Sequence, residues 1–484
     1  MTQPARAQGP PLTEDPKTLW NLLSAGASKN EDAIAVHAVH QNVQLTYRQL
    51  LDSSEQIARS LHDVGIQGPI LVLVGNCVEF VQLLWATARL GFPFCPVNPK
   101  INEELLQHYI NSVKPEVIIV QNSSISDTLK GLEASLETVK LKLVVDEDDH
   151  RPDEWRTLRA LTKGRAQLTG ALPEPKVTIN DVAIIIFTSG TTSLPKGALH
   201  TGVTLSSLAH TTCRWRGLTA ERRLLCHIPT FHIFAASSIL TYFSSGASIV
   251  FPSLNFDAAA TLRAMELGLC TDLPLVPSMY RMIVDHPTYD RTKFKGLETV
   301  TLGGSMIPPD FVRAVSDAFS ARAIAGFGMS EGMGMLGWHL DEAQVHTSEY
   351  VAVGKAGYGV SVKVSDFQDA SGKPLDRGED GELHISGELM IQGYLGGVSP
   401  ESFYKDESGS QWFKTGDQAR MDADGAIFIL GRYKDIIIRG GENIAPAAIE
   451  VVLNKFDGVE VSFESFVCKL KRTDSHLVSS CWYT

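Results

Sequence analysis

The sequence predicts an α/β protein with largely parallel sheets, followed by a smaller all-β region. Between about residues 45 and 325, short apolar runs of strand length alternate with amphipathic stretches of helical period. That alternation is the mark of crossover units building a parallel sheet. One run, Val182-Ala183-Ile184-Ile185-Ile186-Phe187, is continuously apolar, as expected of a strand buried on both faces. After about residue 345 the pattern changes to short alternating segments separated by Gly, Asp and Lys clusters, which reads as antiparallel β structure.

The elements follow in order. Thr46 is placed to cap a helix, with Gln49 completing a capping box and Gly65 stopping it. Ile70 to Val74 reads as a strand. Asn76 with Glu79 is expected to cap the next helix, Cys77 to Leu90, which Gly91 ends. Phe94 to Val97 is a strand, Glu103 to Asn111 a helix and Val117 to Val120 a strand. Residues 121 to 180 are polar and read as connections and edge elements. Leu224 to Phe256 carries no Asp, Glu, Lys or Arg, but Pro229, Gly246 and Pro252 interrupt it. It therefore reads as a buried helix and a buried strand, Ala247 to Phe251, and not as a membrane span. Leu273 to Val276, Leu297 to Leu302 and Ala321 to Ala325 are expected strands, separated by helices Ser278 to Val284 and Pro308 to Phe319. In the β region, Tyr358 to Ser365, Gly381 to Ser386 and Ala426 to Leu430 are expected strands.

Composition narrows the function. The chain has 484 residues, 44% hydrophobic and 20% charged, with a net charge of −12. Such an acidic balance disfavours nucleic acid and anionic membranes as partners. The 7 cysteines are scattered and form no Cys-x-x-Cys pair. Reduced thiols in a cytoplasmic compartment, without a zinc site, are expected.

Five stretches carry chemistry. Thr188-Ser189-Gly190-Thr191-Thr192-Ser193-Leu194-Pro195-Lys196-Gly197 follows the buried strand. Free backbone N–H groups, hydroxyls and one mobile cation suit a polyphosphate. It is not a Walker loop, because Lys196 lies between Pro195 and Gly197. Pro229-Thr230-Phe231-His232-Ile233-Phe234 holds a histidine on an apolar stretch, as a satisfied core residue or a functional one. Gly326-Phe327-Gly328-Met329-Ser330-Glu331-Gly332 follows a strand. Phe327 offers a flat face to a base, Ser330 a hydroxyl and Glu331 a carboxylate for Mg²⁺. This stretch also matches Gly-x-Ser-x-Gly, but His339, His346, His384 and His476 have no recognisable partner setting, so hydrolysis is set aside. Trp412-Phe413-Lys414-Thr415-Gly416-Asp417 puts an aspartate on a tight turn, able to accept from two ribose hydroxyls; a plain surface turn reads equally. The stretch from Gly431 to Pro446 joins Arg432, Lys434 and Arg439 to the pair Gly440-Gly441.

Taken in this order, the stretches resemble the adenylate-forming superfamily of acyl- and aryl-CoA synthetases, luciferases and peptide-synthetase adenylation domains. The resemblance runs from about Leu45 to Glu450. It implies two mainly parallel α/β subdomains and a small β-barrel subdomain (about 345–430) within a large domain, 1–430. A hinge at 431–436 and a small α+β C-terminal domain, 437–484, would follow. Thr188 to Gly197, including Thr188, Ser189, Gly190, Thr191, Thr192, Ser193 and Lys196, would lie over the ATP phosphates. Gly303, Gly304, Phe327, Gly328, Met329 and Ser330 would contact the nucleotide, Phe327 stacking on adenine and Ser330 touching the α-phosphate. Glu331 would hold Mg²⁺, Asp417 and Arg432 the ribose. Lys434 would be the hinge, and Gly440 and Gly441 would line the CoA tunnel. Lys196, His232, Ser330 and Glu331 would carry catalysis.

The implied reaction has two steps: a carboxylate attacks ATP to give an acyl-adenylate and pyrophosphate, then the thiol of CoA displaces AMP. Phe231-His232-Ile233-Phe234 resembles the acyl- and aryl-CoA ligases of the 4-coumarate type, whose histidine lies near the substrate carboxylate. An apolar acid is expected, in a pocket of Phe231, His232, Gly304, Met329, Gly332 and Met333. Loading of a carrier protein, or nucleotide binding without turnover, are the alternatives. The match stops near Gly458, and the C-terminal lysine that the family uses in adenylation has no counterpart before Thr484. A shortened C-terminal domain and adenylation slowed by about 10²–10³-fold are therefore expected. Cys481-Trp482-Tyr483-Thr484 is not a peroxisomal address, though a peroxisomal location stays open if the sequence continues.

Overall fold

The computed structural model describes residues 3–444, apart from 130–131, 133–134, 147–152, 164–171, 173, 175, 189–193, 348–349, 370, 434–436 and 440–441. Three large sheets and one two-stranded sheet are found among the described residues. The first has seven strands in the order Gly197–Thr201, Val182–Phe187, Phe94–Pro96, Ile70–Leu73, Val117–Val120, Leu141–Val144, Arg156–Thr157. All neighbours are parallel except the hairpin of Val182–Phe187 with Gly197–Thr201. The second sheet also has seven strands, in the order Arg322–Ala325, Thr299–Leu302, Asp272–Leu275, Arg223–Leu225, Ser248–Phe251, Ile34–Ala38, Val43–Thr46. Only its last pair is antiparallel. The α/β architecture expected from the alternation is present, with Val117–Val120 at the expected bounds.

Local chemistry explains most of the elements. Thr46 caps helix Tyr47–Asp63 in the expected capping box with Gln49. Gly91 ends helix Val78–Leu90 in the left-handed conformation, at φ 73°. The charge-free stretch resolves into helix Ile233–Ser245 and strand Ser248–Phe251, and no helix among the described residues is long and apolar enough to cross a membrane. The expected cap at Asn76 does not form. Cys77 occupies the N-cap without a side-chain bond, because Asn76 is buried and its amide is engaged elsewhere, as described below.

The two parallel sheets share one core. Trp85 packs edge-on to Phe243 at 5.5 Å, and Tyr47 sits against both. The Tyr47 hydroxyl donates to the Ala247 carbonyl at 2.6 Å. Helices Tyr47–Asp63, Val78–Leu90 and Ile233–Ser245 thus meet at the seam between the sheets, burying large aromatic surfaces; the Trp85 indole N–H has no hydrogen-bond partner among the described residues.

The third sheet has nine antiparallel strands, running Arg6–Gln8, Val360–Ser365, Asp380–Gly387, Gln411–Met421, Ile427–Arg432, Ala352–Ala356, Gly332–Gly337, Phe327–Met329, with Phe403–Lys405 beside Gln411–Met421. It draws three strands, Arg6–Gln8, Phe327–Met329 and Gly332–Gly337, from before residues 345–430. Nor, among the described residues, does it close into the expected barrel: there Arg6–Gln8 pairs only with Val360–Ser365, and Phe327–Met329 only with Gly332–Gly337. The reason is tethering. Phe327–Met329 directly follows Arg322–Ala325, and Gly326 N–H still bonds Leu302 O of the second sheet at 3.0 Å. This edge strand is held across the cleft between sheets. Beyond it, Ile437–Arg439 pairs with Glu442–Ile444.

Candidate active site

A cavity of about 830 Å³ lies where the three sheets meet. One wall begins at the phosphate-loop candidate. Val182–Phe187 and Gly197–Thr201 form a hairpin with Gly197 opposite Phe187. Its neck is closed twice: Thr188 N–H donates to Lys196 O at 2.9 Å, and Lys196 N–H donates to Thr188 Oγ1 at 3.1 Å. Both residues line the cavity. Ser189, Gly190, Thr191, Thr192 and Ser193 lie outside the described residues, as do Lys434, Gly440 and Gly441.

Opposite lies a second hairpin. Met329 pairs with Gly332, so Ser330 and Glu331 occupy its tip. This settles the Gly-x-Ser-x-Gly match: a nucleophile elbow needs strand, turn, helix, and here the chain runs strand, turn, strand. The tip is locked from outside. His200, buried in strand Gly197–Thr201, uses Nε2 to donate to the Ser330 carbonyl at 2.9 Å. Burial holds its pKa down to about 4, partly offset by that bond, so the ring is neutral. Glu331 is 8% exposed, and Tyr394 Oη donates to its Oε1 at 2.5 Å. Burial and then the Glu331 charge push the Tyr394 phenol far up, keeping it a donor. Lys196 Nζ sits 5.3 Å from the centre of the same Tyr394 ring. Lys196, Tyr394 and Glu331 therefore converge from three elements.

The ribose candidates meet as well. Asp417 and Arg432 are opposite each other on adjacent strands, and Arg432 Nε donates to Asp417 Oδ1 at 2.9 Å. Asp417 is 3% exposed, so Arg432 lines the cavity with Asp417 behind it. The turn expected before Asp417 is a bulge inside strand Gln411–Met421, where Gly416 takes φ 75°. Glu382 holds it, its Oε1 accepting from Gly416 N–H at 3.0 Å. Glu382 and Tyr394 were not legible locally, since each acts through a partner distant in sequence.

His232 is the N-cap residue of helix Ile233–Ser245. Its ring opens into the cavity and has no hydrogen-bond partner among the described residues. Desolvation by the surrounding walls still lowers its pKa, favouring the neutral form. Asn76 sets the position of this segment. Its Nδ2 donates to the carbonyls of Cys226 and Ile228 at 3.2 and 3.0 Å, and its Oδ1 accepts from Thr230 N–H at 3.1 Å.

Gly303 and Gly304 line the cavity beside Phe327, Gly328, Met329 and Met333. Gly304 stands at φ 80°, a conformation that costs a side-chain-bearing residue. Phe231 and Gly332, expected in the acyl pocket, are not on its wall. The Phe231 ring lies against His232 at 4.5 Å, and a Cβ on Gly332 would meet Met390 and Met335 of the β core. Phe234, Met279, Trp215 and Thr241 line the wall instead. Helical spacing puts Phe234, Ser238 and Thr241 on one face, the only local signal for them.

A polyphosphate with Mg²⁺ fits this donor set. Among the described residues no cluster of three metal-ligating side chains exists, and one buried carboxylate beside substrate phosphates is how Mg²⁺ is commonly held. Comparison with known proteins agrees. The chain matches the AMP-binding enzyme family over residues 23–395. It is 30% identical over 454 residues to a feruloyl-CoA synthase of an Amycolatopsis species, covering 91% of this chain and 83% of that protein. It is 30% identical over 473 residues to the acyl-CoA ligase sidI of Aspergillus fumigatus, covering 92% and 78%. ATP-bound MatB of Rhodopseudomonas palustris shares its structure with a TM-score of 0.77 at 25% identity, covering 90% of this chain and 83% of that one. An anthranilate CoA ligase, AuaEII, in complex with anthranoyl-AMP, shares the fold with a TM-score of 0.80 at 19% identity, covering 91% and 83%. The family match spans the phosphate-loop hairpin, the Ser330–Glu331 tip and Tyr394, and on that ground the chain belongs to the AMP-binding enzymes.

Proposed function

We propose that this chain is an AMP-forming acid–CoA ligase that uses ATP, Mg²⁺ and CoA. The observation that carries this reading is the convergence of Lys196, Glu331 and Arg432 at one end of a cavity whose other end runs between helices. Both reactants of the first step are anionic, and a carboxylate is a weak nucleophile. Catalysis then rests on alignment and neutralisation. Lys196 and the hairpin neck bind the phosphates. Glu331, fixed by Tyr394, would hold Mg²⁺, which would supply neutralisation of the phosphate charge. Ser330 offers its hydroxyl to the α-phosphate, Phe327 and the Gly303-Gly304 backbone take the base, and Arg432 with Asp417 takes the ribose. His232, neutral, donates to the acid's carboxylate.

The carboxylate oxygen attacks the α-phosphorus as the bond to pyrophosphate breaks, leaving an acyl-adenylate. The CoA thiolate then attacks the acyl carbon, and AMP leaves. Lys434, Gly440 and Gly441 serve this second step. Relatives named as CoA ligases favour CoA over a carrier protein as acceptor. The five described cysteines are free thiols, which supports a cytoplasmic setting.

The test is release of AMP and formation of a thioester from ATP, Mg²⁺, CoA and a panel of acyl and aryl acids. Lys196→Ala and Glu331→Gln are each expected to lower kcat/KM by about 10²–10³-fold. Release of ADP in place of AMP, or pyrophosphate exchange with free amino acids alone, would exclude the reading.

A further inference from the structure

The far end of the cavity is not apolar throughout. Helix Gly202–Arg216 presents Thr212, Trp215 and Arg216 to it, and helix Ile233–Ser245 presents Ser237, Ser238, Thr241 and Tyr242. Both sets share one helix face by their spacing. Thr241 lies about 13 Å along the helix from His232 at 1.5 Å per residue, so this end is remote from the ATP groups.

Most hydroxyls here are already committed. Ser237 and Ser238 donate to Phe234 O, at 3.2 and 2.7 Å, and Thr241 donates to Ser237 O at 2.7 Å. Two donors are not. Arg216 is half-buried and, among the described residues, has neither an ion pair nor a hydrogen bond. The nearby carboxylate, Asp272, is taken by Arg222 at 2.5 Å. The Tyr242 hydroxyl, 1% exposed as a residue, faces the same Asp272 carboxylate. Thr212 Oγ1 lies against the bare Cα of Gly334, 2.8 Å from where a Cβ would stand, and makes no hydrogen bond among the described residues. An unpaired guanidinium and the Thr212 hydroxyl stand at the end of a tube walled by Trp215, Ile324, Met333 and Trp338, with no acceptor among the described residues. A guanidinium is matched best by a carboxylate.

We propose that the acid activated here carries a second, distal carboxylate, held by Arg216 with Thr212 while the reacting carboxylate meets ATP at His232 and Lys196. The inference rests on the acid–CoA ligase reading and names its substrate class, a dicarboxylic acid with an apolar middle.

The experiment compares straight-chain monocarboxylic and α,ω-dicarboxylic acids of matched length, with ATP, Mg²⁺ and CoA, by AMP release. At one length the dicarboxylate should exceed its monocarboxylic partner in kcat/KM by about 10²-fold. Arg216→Met should remove that ratio, mainly through KM, and Arg216→Lys should restore part of it. Equal loss for both acid types in Arg216→Met, or a monocarboxylate preference at every length, overturns the proposal and leaves the ligase reading standing. Absence of AMP from any acid overturns the ligase reading. Calorimetric binding of the dicarboxylates to the wild-type chain and Arg216→Met then decides Arg216 alone: tighter binding to wild type supports it, and equal binding ends it.

Discussion

Asn76 shows how one side chain governs a site that it does not touch. Its amide satisfies two buried carbonyls and one N–H of the segment that carries His232. Asn76→Ala would leave three buried polar groups without partners, each worth about 1–3 kcal/mol. The variant should lose roughly 2–4 kcal/mol of stability in urea unfolding and bind the acid more weakly, seen as a raised KM. Wild-type stability and KM in this variant would refute the positioning role. The sequence suggests a helix cap for this residue because Asn before a helical pattern commonly caps it. Only the packing of residues 226–230 against it, 150 positions away at Cys226, redirects the amide.

At the scale of elements, the hairpin from Phe327 to Gly337 does most to shape the site. Its tip presents Ser330 and Glu331, and its second strand forms the cavity floor. Gly334 stands on that strand at φ 68°, with room for a Cβ blocked by Thr212 Oγ1 at 2.8 Å. Gly334→Ala should cost about 1–2 kcal/mol through backbone strain and should reject the bulkiest acids before the smaller ones. A melting curve and the acid panel check both. Unchanged stability with an unchanged acid range would show that the strand accommodates the methyl group. The sequence marks this stretch as chemically active but not as a hairpin, because a strand edge is defined by partners, here Ala352–Ala356 beyond Gly332–Gly337. A period-2 pattern alone does not specify them.

For the whole molecule, two buried histidines couple stability to pH. His200 joins the first sheet to the Ser330 carbonyl, and His227 joins Thr261 and the Pro274 carbonyl in the second sheet. Burial lowers both to about 4 from 6.5. The unfolded chain therefore binds more protons than the folded one between those values, and stability rises with pH across that window. Lowering the pH from about 7 to about 4 should remove on the order of 3 kcal/mol for each ring. Replacing His200 with Gln should flatten part of this slope in denaturant titrations. A slope that His200→Gln leaves intact would place the titrating groups elsewhere.

The sequence by itself determined the alternation of strands and helices and the capping box at Thr46 and Gln49, and it singled out the charged residues Lys196, Glu331, Asp417 and Arg432 that gather at the cavity. These are legible because periodicity, caps and glycine-bearing loops are short-range features. Tertiary structure decided what surrounds them. It put Tyr394 on Glu331, Glu382 on the Gly416 N–H beside Asp417 and His200 under Ser330. It kept the β sheet open at Phe327–Met329, and it turned Phe231 and Gly332 away from the cavity while bringing Arg216 to it. Each of these depends on contacts between residues far apart in the chain, and no local pattern encodes the partner of a side chain that lies in another sheet.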